Sequence, residues 1–309
     1  MLPFAENAKG SIRSIMGKPM KYQTKRKLIT ARRFARDFIR LYSDSNLARA
    51  SAALAYNLTL TFFPLIICLY SMLGNSYDKI MTVLDFAENF IAPDTIRVLS
   101  EFAAYVSSNY STAMTLAGIT FLVTSASAAV RTLQSTIGEM QGEQRYRGIA
   151  DFIFSVEFSL VFVGALYFSI TLMFMGKAFV NRLNALVPFV DLGRSWASMR
   201  FLLLAAIEYV IIWGVYEVSM PRHGHYDTWA GALLASVATV VVCIVYSGFL
   251  SASTRYPLVY GSLTSMILLM LWLYTCCLVI YCGAAFNIVM RNTKRKKQKL
   301  ANKKETPSE

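Results

Sequence analysis

The chain has 309 residues, 55% of them hydrophobic and only 16% charged, with a mean hydropathy of +0.44. That balance excludes an ordinary soluble globular domain, in which about a quarter of residues are charged. The net charge of +13 admits nucleic acid or an anionic membrane as partner, and position decides: twelve basic residues precede Ala50 and eight follow Met290, the positive-inside pattern.

Residues 1–25 are polar and basic, and we expect them to be poorly ordered on the cytoplasmic side. They show no apolar core followed by a small-residue cleavage site, so the first span is expected to act as the insertion signal. From Lys27 to Tyr42, Ala31, Phe34, Ala35, Phe38, Leu41 and Tyr42 repeat at helical spacing with Arg32, Arg33, Arg36 and Arg40 between them. This is a basic amphipathic helix, suited to lie on anionic lipid or to pack on the protein's own loops.

A first span is predicted over about Ala50 to Gly74. Asn57, Thr61 and Pro64 fall at i, i+4 and i+7 on one face, beside Tyr56. A polar face at membrane depth must look at other helices or at a wet cavity, so these four residues either join helices or line a substrate path. Pro64 removes a backbone donor, which predicts a kink. Acidic residues Asp78, Asp85, Glu88, Asp94 and Glu101 then mark an extracytoplasmic loop of two short helices divided at Pro93. The second span is expected over about Tyr110 to Val130, with Arg131 to Gly148 as a polar connector and no basic residue inside any apolar core.

The third span, about Ile149 to Gly176, carries Glu157, and the fourth, Phe201 to Met220, carries Glu208 mid-helix and Glu217 near its end. A carboxylate at bilayer depth must be protonated, paired or wet, so Glu157 and Glu208 are either titrating groups of a path or neutral hydrogen-bond partners of a neighbouring helix. The connector Lys177 to Arg200 is basic, yet alternation puts it outside. In the fifth span, Thr228 to Phe249, Gly231, Ala235, Thr239, Cys243 and Ser247 recur every fourth residue, a close-packing seam. The sixth lies in the uncharged run from Leu258 to Met290, with Trp272, Tyr274 and Tyr281 packing inside it. Five cysteines, all in apolar runs without C-x-x-C, read as buried hydrophobes.

Together these predict an all-α integral membrane protein of about six transmembrane helices with both termini cytoplasmic. It comprises a basic N-terminal segment (1–48), a six-span membrane domain (49–290) and a basic tail (291–309). Catalytic chemistry is not evident. The sequence holds no G-x-x-x-x-G-K-[ST], G-x-S-x-G or H-E-x-x-H, which argues against ATP-driven work by this chain alone. His223, His225 and Asp227 form a weak metal motif in a short connector, and we expect neither metal nor cofactor. The C-terminal basic run lacks aromatics that would stack bases, so nucleic acid is not an expected partner. The expected partners are the bilayer, anionic lipid at the cytoplasmic face and a second copy of the chain.

The stretches A-Y-N-L-T-L-T-F-F-P (Ala55 to Pro64), S-A-S-A-A-V-R-T-L-Q (Ser125 to Gln134) and Y-G-S-L-T-S-M-I-L-L-M-L-W-L-Y (Tyr260 to Tyr274), with Gly283-Ala284 beyond, resemble the YihY/virulence factor BrkB family. The resemblance covers about Leu47 to Asn287. It implies a bacterial inner-membrane protein of about six spans, with lipid or small-molecule export put forward for relatives and an older ribonuclease label. Many relatives carry G-A-E in the last span where this chain has Ala285, while the Asn two positions on is kept as Asn287. If that acid couples transport to protons, Glu157 or Glu208 must replace it here. The leading expectation is therefore a non-ATP-driven transporter or lipid flippase with Tyr56, Asn57, Thr61, Pro64, Glu157, Glu208 and Asn287 along its path. A non-transporting scaffold and a membrane-associated ribonuclease are the alternatives.

Overall fold

The computed structural model describes residues 20–87, 93–142, 153, 155–157, 159–161, 163–165, 167–169, 192–219, 228–252 and 263–305. They form helices: α1 (Met20–Asp44), α2 (Leu47–Met72), α3 (Tyr77–Ala87), α4 (Pro93–Ser108), α5 (Thr112–Met140), α6 (Ser155–Ser169), α7 (Leu192–Ser219), α8 (Trp229–Ala252) and α9 (Leu263–Glu305). Among the described residues, five apolar stretches are long enough to span a bilayer: Leu47–Met72, Thr112–Met140, Leu202–Ser219, Trp229–Phe249 and Met266–Lys296. The shorter apolar α6 occupies the position of the predicted third span. His223, His225, Asp227, most of the connector from Lys177 and the start of the predicted sixth span lie outside the described residues.

The chain divides into two units, one running from Ser45 to Ile288 and the other formed by the chain ends up to Asp44 and from Val289 onward. In the terminal unit, Lys296 Nζ stands 3.5 Å from Asp37 Oδ2, both side chains well exposed. Such a pair adds little stability by itself.

In the larger unit, α2 and α5 pack antiparallel along most of their length. The contact is close because Gly118 of α5 takes Ile67 where a methyl group would fall 2.7 Å from Cγ2. Leu54, Ala55, Ile66, Leu122, Ala126, Ala129, Leu133 and Ile137 are all buried, the apolar stripes that face the core. Serine and threonine inside these helices satisfy their hydroxyls on the preceding turn, as Ser51 does on the Leu47 carbonyl at 2.7 Å and Thr59 on Ala55 at 2.8 Å. At the far end, α2 closes with Gly74 and Asn75 at positive φ, and the acidic loop forms the two expected short helices with the second beginning at Pro93. Outward faces are aliphatic, with Leu202, Val237, Ile244, Val245 and Ile267 all more than half exposed.

One expectation is corrected. The second span does not end at Val130: α5 continues to Met140, so Arg131 is a helical residue and not the first of a connector. The buried stripe Leu122, Ala126, Ala129, Leu133, Ile137, Met140 runs past the arginine with the period intact, and packing of that stripe outweighs one cation. At about 1.5 Å per residue Arg131 lies about 14 Å from the C-terminal end of a helix about 42 Å long, which exceeds roughly 30 Å of hydrocarbon. A basic residue therefore does lie inside an apolar helix.

Candidate functional site

Two polar clusters tie the membrane helices together. The first joins α2, α5 and α9. Asn57 Nδ2 donates to Thr132 Oγ1 at 3.0 Å, and Thr61 Oγ1, which donates to the Asn57 carbonyl at 2.8 Å, has Ser125 Oγ 3.2 Å away. From α9 the Tyr281 hydroxyl donates to the Thr132 carbonyl at 3.3 Å. Interhelical hydrogen bonds of this kind are worth about 0.6 to 2 kcal/mol each in a membrane. Ser127 of α5 and Ser159 of α6 pair at 3.0 Å, both fully buried.

The second cluster clamps α7, α8 and α9 at one end of α8. Gly231 donates its backbone N–H to Asn287 Oδ1 at 2.7 Å, and Asn287 Nδ2 donates to the Thr228 carbonyl at 2.9 Å. The buried amide of Asn287 thus supplies from another helix what an N-cap side chain ordinarily supplies from its own. Thr228 Oγ1 donates to Glu217 Oε2 at 2.7 Å and accepts from Trp213 Nε1 at 3.0 Å, which sets a carboxylate at the positive end of α8. Tyr216, wholly buried, donates its hydroxyl to the Ile280 carbonyl. Gly231 and Gly283 bring the α8 and α9 backbones together.

The predicted site residues distribute between these clusters and the surface. Asn57 and Thr61 share the α2–α5 seam, Asn57 half-buried and Thr61 buried. Neighbouring Tyr56 is 54% exposed, and Pro64, half-buried, lies within the uninterrupted α2. Asn287 belongs to the other cluster. Glu208 is half-buried on α7 beside Thr239 of α8, while Glu157 is exposed on the face of α6 that also carries Leu160 and Val161. Asn57 and Thr61 are brought together, and Glu157, Glu208 and Asn287 each have separate surroundings. Sequence reasoning missed Tyr216, Thr228 and Arg131. The uninterrupted apolar period through Leu133 and Ile137 was the signal for Arg131, whereas nothing in sequence marks the partners of Tyr216 and Thr228. Among the described residues, no three His, Cys, Asp or Glu side chains group closely enough to hold a metal ion.

The virulence factor BrkB family profile matches residues 38–307, most of the chain and every described span. The chain belongs to the BrkB family. Among its relatives, the ribonuclease-like protein YfkH of Bacillus subtilis is 22% identical over 79% of this chain and 90% of its own length. A UPF0761 membrane protein of Stenotrophomonas maltophilia is 26% identical over 83% of the chain and 60% of its own length, and one of Histophilus somni is 21% identical over 83% and 90%. The BrkB-family chain thus spans about 60% of the Stenotrophomonas relative and nearly all of the other two. No solved structure matches it. The membrane-protein relatives and the five apolar helices among the described residues make it a multi-pass bacterial inner-membrane protein. Apart from the ribonuclease-like wording of the Bacillus name, nothing in these matches indicates a catalytic family.

Proposed function

We propose that this BrkB-family chain is a non-ATP-driven transporter or lipid flippase. The observation that carries the reading is Glu208, a carboxyl-bearing side chain held half-buried within an apolar span beside Thr239, with polar Tyr56, Asn57 and Thr61 inside the apolar span of α2. Ionisable groups inside membrane helices are costly and mark substrate or proton pathways by default. In this reading Tyr56, Asn57, Thr61 and Pro64 border the path and Glu208 is its titrating group, whereas Asn287, buried between α8 and α9, and Glu157, on the outer face of α6, stand apart from it. The approach of Asp37 to Lys296 supports an even number of crossings, with α6 as the sixth in this reading. The positive-inside rule puts those basic ends in the cytoplasm, against anionic lipid.

In nucleotide-free proteoliposomes, Glu208→Gln and Asn57→Ala are each expected to slow substrate movement by about tenfold, equivalent to about 1.4 kcal/mol on the barrier. Unchanged rates in both, with protein of normal elution profile, would count against transport through this region. One observation favours a non-transporting scaffold instead: Asn57 and Thr61 spend their polar atoms on α5 and on their own helix. A crosslinking pull-down that yields one stoichiometric partner, together with unchanged rates, would favour that second reading.

A further inference from the structure

α8 and α9 pack antiparallel in a constant register. Gly231 and Ala235 of α8 meet Gly283, and toward the other end of the seam Tyr246 donates its hydroxyl to the Leu268 carbonyl at 2.5 Å. That register sets Cys243 of α8 opposite Trp272 and Cys276 of α9, and the thiols of Cys243 and Cys276 are in hydrogen-bonding contact. Both are free cysteines. Cys276 is buried, and half-buried Cys243 lies next to the outward-facing Val240, Val241 and Ile244. Beside the Cys243 sulfur stands Trp272 Nε1, a buried donor without a hydrogen-bond partner. Glu208 of α7 is within electrostatic reach of both sulfurs.

We infer that Cys243 and Cys276 are a redox pair that closes into a disulfide across the seam between α8 and α9, with a lipid-soluble quinone as oxidant. Each thiol gives up one proton and one electron, a single S–S bond forms between the two sulfurs, and the quinone takes both electrons and both protons to leave as quinol. A disulfide needs Cα atoms about 4.4 to 6.8 Å apart, which only closely packed helices provide. The seam is of that kind: a methyl group on Gly283 would lie 2.8 Å from Ala235 Cβ, on the turn of α8 two below Cys243. The thiolate is the reacting form of a cysteine, and the unspent Trp272 N–H can donate to the charge that forms on Cys243 as its proton leaves. Hydrocarbon keeps out charged water-soluble oxidants, whereas a quinone reaches Cys243 from the side of Val241 and Ile244. The bond fixes α8 to α9 beside Glu208.

The test uses the full chain in native membranes, exposed to a short-chain ubiquinone or to dithiothreitol, quenched in acid, alkylated with N-ethylmaleimide in denaturant and cleaved at methionine. Cleavage at Met220, Met266, Met270 and Met290 leaves Cys243 on one peptide and Cys276, Cys277 and Cys282 on another. Mass spectrometry should find the two peptides joined after the quinone and separate after dithiothreitol. The join should persist in Cys277→Ser and vanish in Cys276→Ser. Oxidised protein should melt about 5 °C or more above reduced protein in detergent, because the bond closes a loop of the chain, and Cys243→Ser should lose that difference. Cys243 alkylated to the same extent after quinone and after dithiothreitol would overturn the inference, as would a join that persists in Cys276→Ser. Should the serine variants not fold, the wild-type peptides decide, since fragmentation that places the bond at Cys277 or Cys282 overturns it as well. The bond needs no transport, so its failure leaves the rates expected of Glu208→Gln in proteoliposomes untouched.

Discussion

Gly231→Val should abolish accumulation of folded protein, or leave it eluting as aggregate. A methyl group on Gly231 would lie 2.3 Å from the Gly283 carbonyl oxygen and 2.5 Å from Asn287 Cγ, and one on Gly283 would lie 2.6 Å from the Gly231 oxygen and from the Tyr216 hydroxyl. The nearest obstacle in both directions is backbone, which cannot swing aside as a flexible side chain can. The α8 and α9 axes would have to separate, breaking the Gly231 and Thr228 bonds to Asn287 at once. Overpacking of a tight core costs about 1 to 3 kcal/mol and more where the backbone must move. Gly248, which has nothing within 4 Å of such a methyl group, is the control: Gly248→Ala should leave yield unchanged. Fluorescence-detected gel filtration of the two variants in detergent checks the contrast.

Asn287→Leu should lower the thermal midpoint in detergent by about 5 °C or more, the expected consequence of leaving one buried donor without a partner. Leucine fills the same space but leaves the Gly231 N–H orphaned in a part of the protein that water does not reach, at a cost of about 1 to 3 kcal/mol. The Thr228 carbonyl is less affected because it also accepts from Ala232 N–H at 3.2 Å. Asn287→Asp is expected to be no rescue. Its carboxylate can accept from Gly231 but cannot donate to the Thr228 carbonyl, and it would bury a charge. A midpoint equal to that of the wild type in Asn287→Leu would show that the amide is not an external cap for α8.

Most of the membrane architecture is legible in the sequence, because a span announces itself by composition and length. The break at Pro93 in the acidic loop was equally plain. Arg131 was not, since a cation after an apolar run resembles a terminus, and only the buried period through Leu133 and Ile137 shows that the helix continues. The face shared by Asn57 and Thr61 was legible from spacing, but its partners Thr132 and Ser125 were not, because a hydroxyl in one helix carries no local mark of what it will meet. For Glu157 and Glu208 the sequence gives depth alone. Which way each side chain turns depends on how neighbouring helices pack, and they turn to different surroundings, Glu208 toward α8 and Glu157 to the outer face of α6.

The central claim is that polar groups at membrane depth serve a wet route and not merely helix contact. The measurement that tests it most directly is the reaction of single cysteines with a membrane-impermeant thiol reagent in native membranes, after Cys68, Cys243, Cys276, Cys277 and Cys282 are replaced. Cysteines at Tyr56, Asn57 and Glu208 should be modified, while one at Val237 on the aliphatic face of α8 should not. Protection of all three in folded protein would contradict the account.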